Sequence, residues 1–140
     1  MRGRHMIKSW SSTQKSITLS SAEAELVAAV KTATEVIGVT QMAADWGWDL
    51  EGQIFVDSSA ALGIVHRKGN GRLRHVRVGS LWIQEKVEDE ELSMKKIEGE
   101  KNPADLLTKN LNAAKRELFM PMISQKCEVG KSDKSLELAT

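Results

Sequence analysis

What the chain lacks narrows its reading first. It has one cysteine, Cys127, so no internal disulfide can form and a reducing compartment is the default. No apolar run approaches the roughly 20 residues of a membrane-spanning helix, and no signal peptide is visible. Internal repeats and low-complexity tracts are missing too. Net charge is almost nil, since 20 Lys and Arg against 19 Asp and Glu leave +1. That balance hides local clusters and argues neither for nor against a nucleic-acid partner. One absence is local: no Asp or Glu stands between Met1 and Ala22.

What is present suits a single domain. The 140 residues are 41% hydrophobic and 28% charged, enough length and apolar content for a real core. Residues 1–6, MRGRHM, read as a leader or vector-derived residue and are set aside from fold reasoning.

The stretch Gln53 to Leu62, QIFVDSSAAL, organises the rest. Ile54, Phe55 and Val56 read as a short buried strand that ends on Asp57. Ser58 or Ser59 then caps a helix that runs to about His66. In open α/β sheets ligands and metals collect at the carboxyl ends of strands, where this acid sits. A carboxylate straight after three large apolar residues is costly unless it is solvated, capped or bound to a cation. Two roles stand level for Asp57: a chemical one, and help at the helix N-terminus.

Upstream, Ile7 to Ser20 reads as two short strands, IKSWS and SITLS, joined by a turn. Ser20 and Glu23 then form an S-x-x-E capping box that opens a helix running to about Ala44. Leu26, Ala29, Val30, Ala33, Val36 and Ile37 share its apolar face. Glu23 and Glu25 lie on the two edges of that stripe, so periodicity does not choose between them. The capping box gives Glu23 a structural job, and Glu25 has none visible.

Downstream, HRKGNGRLRHVR packs Arg67, Lys68, Arg72, Arg74 and Arg77 around Gly69 and Gly71. Such a run is more often a solvated surface, but it suits a phosphate backbone as well. His75 belongs to this cluster and reads as a surface or capping histidine, because no second His or Cys sits at ligand spacing. Val78 to Val87 reads as a helix and Leu92 to Ile97 as a strand. In GEKNPADLLTKNL, Asn102 caps, Pro103 takes the first helical position and Asp105 falls in the first turn. On these residues alone Asp105 is best explained by cap and dipole stabilisation. A weak helix follows from Ala113 to about Ser124, then a frayed tail from Cys127. The order β-β-α-β-α-α-β-α is that of an α/β domain. Three carboxylates from separate segments are also what a divalent-metal nuclease needs.

In this order, SWSSTQKSITLSSAEAELVAA, IFVDSSAAL, LRHVRVGSLWIQEKVEDEEL and KNPADLLTKNL resemble the ribonuclease H domain of copia-type retrotransposon Pol polyproteins. The resemblance covers about Ile7 to Leu111. It implies an RNase H-like fold over residues 7–111, a mixed sheet with flanking helices, with a C-terminal helix and flexible tail over 112–140. It also implies hydrolysis of the RNA strand of RNA–DNA hybrids, with Mg²⁺ (Mn²⁺ as a substitute) held by four carboxylates. Carried over by motif, Glu25 in A-E-L is the second carboxylate, Asp57 in V-D-S the third and Asp105 in N-P-A-D the fourth. Arg67, Lys68, Arg72, Arg74, His75 and Arg77 are then the nucleic-acid contacts. Implied partners are the hybrid or another nucleic acid, and the rest of a reverse transcriptase polyprotein or a second copy. The implied setting is intracellular: cytoplasm, nucleus or a retroelement particle.

Two departures bear on activity. The family's first carboxylate lies on a central strand ahead of the IKSWS segment, and this sequence carries no such strand. The loop IEGEKNP also lacks the His that many RNase H proteins place before their last helix. Hydrolysis by the chain is therefore expected to be impaired. The competing reading is a non-catalytic remnant that binds nucleic acid or a protein partner through HRKGNGRLRHVR. In a third, the carboxylates only cap helices.

The basic run yields a direct prediction. Replacing Arg72, Arg74 and Arg77 with Ala should weaken binding of an RNA–DNA hybrid and flatten its dependence on salt. The log–log slope should fall by about 0.9 for each phosphate no longer neutralised. Unchanged affinity at low salt would return the segment to a solvated surface.

Overall fold

A computed structural model describes residues 6–12, 20–69 and 77–125. The chain forms two compact units, Thr13–Glu100 and Met1–Ser12 together with Lys101–Thr140.

The first unit is built on helix α1, Ser21–Asp45. Ser20 precedes it in an extended conformation, and its Oγ accepts from the Glu23 N–H at 3.2 Å, satisfying one of the helix's orphan donors. The far end closes as a Schellman turn. Trp48 N–H donates to the Ala43 carbonyl at 2.9 Å and Gly47 N–H to that of Ala44 at 2.8 Å. Gly47 takes the left-handed position, φ +77°, which costs a residue without Cβ little. Both ends of α1 are thus set by local chemistry.

Strand β1, Gly52–Val56, follows the turn and pairs in parallel with β2, Leu92–Lys96. The register runs from Gly52 opposite Leu92 to Val56 opposite Lys96. Between the strands lie α2, Ser59–Val65, and α3, Arg77–Glu88. Two parallel strands need such a crossover, because no tight turn can bring the chain back to the same end. Gly52, Ile54 and Val56 are buried, as are Leu92 and Met94, while Gln53 and Phe55 between them are exposed. The buried set meets Leu26, Ala29 and Ala33 of α1, Ile64 and Val65 of α2 and Ile83 of α3 in one core. Val30, Val36 and Ile37, the rest of the expected apolar face of α1, pack half-buried against it.

After a 3-10 turn at Gly99–Lys101, the second unit holds α4, Asp105–Thr108, and α5, Ala113–Phe119, which runs on into a further 3-10 turn, Met120–Ile123. Asn112 caps α5, its Oδ1 accepting from the Lys115 N–H at 2.9 Å. Asn102 and Pro103 do not open α4 as the sequence pattern suggests. Asn102 Oδ1 instead accepts from the Ala104 N–H at 3.1 Å, and the Asp105 N–H donates to the Asn102 carbonyl at 3.2 Å. An Asx turn competes with the helix for the same donors and delays it by two residues.

The class is α/β, with a smaller sheet than expected. Among the described residues the sheet has two strands, both parallel. Ile7 to Ser12 form no strand, and the second arm of the expected hairpin, residues 13–19, lies outside the described residues, as does the tail from 126. Among the described residues, no helix is long and apolar enough to cross a membrane.

At Gly52 the side chains of α1 and β2 both crowd the strand. A Cβ there would sit 2.7 Å from Leu92 Cδ2, 2.9 Å from Val36 Cγ1 and 3.3 Å from the Glu91 carbonyl. Gly52→Ala should therefore destabilise by about 1–3 kcal/mol through overpacking. Urea denaturation checks it; an unchanged midpoint would mean that α1 and β2 part without cost.

Candidate functional site

Parallel pairing brings both strands to one end. Asp57 follows β1 directly, half-buried, and Ser58 begins α2 by accepting from the Ala61 N–H at 3.1 Å. Ser58 is therefore the cap, and Asp57 is left outside that bond. Opposite, Lys96 closes β2, and the Ile97 N–H extends the ladder to the Val56 carbonyl at 2.9 Å. The Lys96 ammonium donates to Ser59 Oγ, at the start of α2. An acid, a hydroxyl and an ammonium thus gather at the carboxyl end of the sheet, where α/β folds bind ligands. Lys96 was not among the candidates drawn from the sequence. Only the strand register brings it there.

The two acids at the start of α1 differ in burial. Glu23 is 6% exposed, whereas Glu25 is exposed, one residue before the core residue Leu26. Sequence pattern left these two level, and the apolar stripe turns out to lean toward Glu23. Burying a carboxylate is expensive unless it is hydrogen-bonded, paired or bound to a cation.

In the second unit Asp105 is buried, 7% exposed, in the first turn of α4. Lys109, one turn on, reaches back with Nζ 2.9 Å from Oδ1 and 3.0 Å from Oδ2. The ammonium bridges both oxygens of the carboxylate. The i,i+4 spacing was legible in the sequence; that Lys109 would occupy both acceptors was not.

These donors do not by themselves make a metal site. Among the described residues no group of three or more His, Cys, Asp or Glu stands where it could hold a metal ion. Hard divalent cations take about six oxygen donors, and a lysine astride Asp105 competes for its two.

Of the expected nucleic-acid contacts, Arg67 and Lys68 are exposed on the turn that follows α2. Arg72, Arg74 and His75 lie outside the described residues, and Arg77 opens α3 with only its backbone described. Lys68 pairs with Glu88 at 2.8 Å. The hydrogen bond to Glu88, then its charge, holds the Lys68 ammonium above the ordinary lysine range. The pair is solvent-exposed and contributes little to stability.

No family model matches the sequence, and neither does any solved structure. The chain is 36% identical over 118 residues, 82% of its length, to the "Retrovirus-related Pol polyprotein from transposon TNT 1-94" of Nicotiana tabacum. It spans 9% of that polyprotein's length. The similarity supports a retroelement origin for the chain.

The Asp105–Lys109 contact can be tested alone. Lys109→Met leaves the buried carboxylate without its partner and should cost about 1.5–3 kcal/mol, while Asp105→Asn in the same background should recover part of that stability. Equal stability of the Lys109→Met variant and wild type in thermal denaturation would show the contact to be idle.

Proposed function

We propose that the chain is the ribonuclease H portion of a copia-type retroelement Pol polyprotein, with Glu25, Asp57 and Asp105 as three of its four carboxylates. One observation carries this reading: the similarity to a transposon Pol polyprotein along most of the chain. The order of the four motifs supports it, as does Asp57 at the end of a parallel strand. The substrate class is the RNA strand of an RNA–DNA hybrid. The proposed cofactor is Mg²⁺, with Mn²⁺ as a substitute; when bound, such ions activate water and stabilise the departing oxygen. No step is assigned to a metal on the donors described above. An Asp-bearing strand, from the rest of the polyprotein or a second copy, would supply the missing carboxylate.

Some roles follow from this chain's own groups. Asp57 sits on a strand end anchored in the core, which limits its motion, and a misplacement of about 1 Å at a reacting centre can cost about 100-fold. Lys96 would offer positive charge to a phosphate at the same sheet end. Lys109 would compete with any cation for Asp105, so this carboxylate becomes available only when the ammonium moves aside.

A second reading is favoured by the exposed Arg67 and Lys68: a non-catalytic remnant that binds nucleic acid through the turn after α2. Contacts to phosphate need cations and no carboxylate geometry.

Cleavage of an RNA–DNA hybrid separates the two. The 140-residue chain should turn over at close to background in Mg²⁺ or Mn²⁺, however high the metal concentration. A longer chain with an Asp-bearing strand upstream of Met1 should cleave, and Asp57→Asn should abolish that activity. Binding without cleavage by the longer chain would favour the remnant. Robust turnover by the shorter chain, abolished by Asp57→Asn, would instead mean that a carboxylate is donated in trans.

A further inference from the structure

Gln84 is a buried polar side chain that the proposed chemistry leaves without a task. It is 8% exposed, on α3, and its Nε2 donates to two backbone carbonyls, Ile64 at 2.7 Å and Gly69 at 3.2 Å. A primary amide has two N–H donors, so both are engaged. Ile64 lies in the last turn of α2, where carbonyls run out of intrahelical partners. Gly69 turns the chain with φ +79°, in the left-handed region. One amide from α3 therefore ties down both ends of the turn that leaves α2.

Between those anchors stand Val65, His66, Arg67 and Lys68. Val65 is buried in the core, so the turn is fastened at a third point. The three residues after it are exposed, and Arg67 and Lys68 are cations. They line a groove of about 510 Å³ together with Leu81, Gln84 and Glu88 of α3. Glu88 meets Lys68 across its rim. Exposed lysine and arginine side chains ordinarily give up much conformational freedom when they bind, and a fixed backbone reduces that cost.

We propose that Gln84 is a positioning residue, which holds the His66–Gly69 turn as a preformed ledge presenting Arg67 and Lys68 to the phosphates of a nucleic-acid duplex. This rests on the nucleic-acid reading above and adds the device that makes the turn fit for it. Removing the amide would leave two carbonyls without their donor. The turn would then peel toward water to satisfy them, carrying both cations off their positions. Glu88 acts in the opposite sense: its pair with Lys68 must open for a phosphate to take its place.

The test uses the full chain and an RNA–DNA hybrid, with affinity measured across a salt series. Gln84→Leu should weaken binding about threefold to tenfold and lower the log–log salt slope by up to about 1.8, the value for two phosphate contacts. Arg67→Ala with Lys68→Ala should weaken binding similarly in wild type, and by much less once Gln84 is Leu, because the two changes act on the same phosphates. Amide exchange at residues 66–69 should rise in Gln84→Leu while the β1 and β2 amides stay protected; a general drop in stability would raise both. Should Gln84→Leu fail to fold, Gln84→Asn decides, since it keeps the amide but is one methylene too short to span both carbonyls. If removing Arg67 and Lys68 leaves affinity unchanged at low salt, the nucleic-acid reading of this turn falls and the ledge with it. If that removal weakens binding but a folded Gln84 variant keeps the wild-type slope, or its effect is fully additive, only the role of Gln84 is overturned.

Discussion

The closure of α1 over the parallel pair β1–β2 is the contact on which the first unit depends. Two parallel strands make a weak ladder alone, and they persist because one face is covered by a helix. Leu26, Ala29 and Ala33 supply the helical side, and Ile54, Val56, Leu92 and Met94 the sheet side. Each large apolar side chain buried there contributes about 1.5–3 kcal/mol, before the entropy of ordering the chain is set against it. The small residues Ala29 and Ala33 let the helix lie close, and Gly52 removes the one Cβ that would hold it away. The other face of the sheet carries Gln53, Phe55, Ser93 and Lys95, with Phe55 52% exposed. Parallel sheets are ordinarily covered on both faces, so this one is half of the usual arrangement among the described residues.

That closure also decides what chemistry the sheet end holds. The register fixes Val56 beside Lys96, so the residue after β1 and the last residue of β2 emerge together. Lys96 is far from Asp57 and Ser59 in the chain and shares their neighbourhood only because the strands run the same way. The acid is not taken up by the helix cap, since Ser58 fills that place. The Lys96 ammonium, which donates to Ser59 Oγ, is the cationic group at this end of the sheet, and Asp57 the anionic one.

The surface shows how little the visible ion pairs decide and how much one buried amide can. Lys68–Glu88 and Lys86–Glu91 are short but solvent-accessible, and such pairs contribute little to stability. Gln84 meets two backbone carbonyls away from water, where losing a donor is far more costly. In the second unit Lys109, the residue that ends the short helix α4, covers both oxygens of Asp105, so that carboxylate has a local counter-charge. The retroelement relationship and these contacts together describe a chain whose acids are partly committed to structure.

Most of the local architecture was legible in the residues. The S-x-x-E pattern marked the start of α1, and the spacing of Leu26, Ala29 and Ala33 its buried face, because caps and helical periodicity depend on neighbours within a few positions. The strand at Ile54 to Val56 and the capping serine after Asp57 were legible for the same reason. Near Pro103 the local signals competed, and an Asx turn at Asn102 prevailed over the helix start. Only the tertiary structure decided which edge of the α1 stripe is buried, that Lys96 stands at the Asp57 end, and that Gln84 fastens a turn 15 to 20 residues away. Those facts depend on strand register and on the angle between packed elements. Neither leaves a mark in the sequence near the residues concerned, since each is set by how distant apolar surfaces fit together.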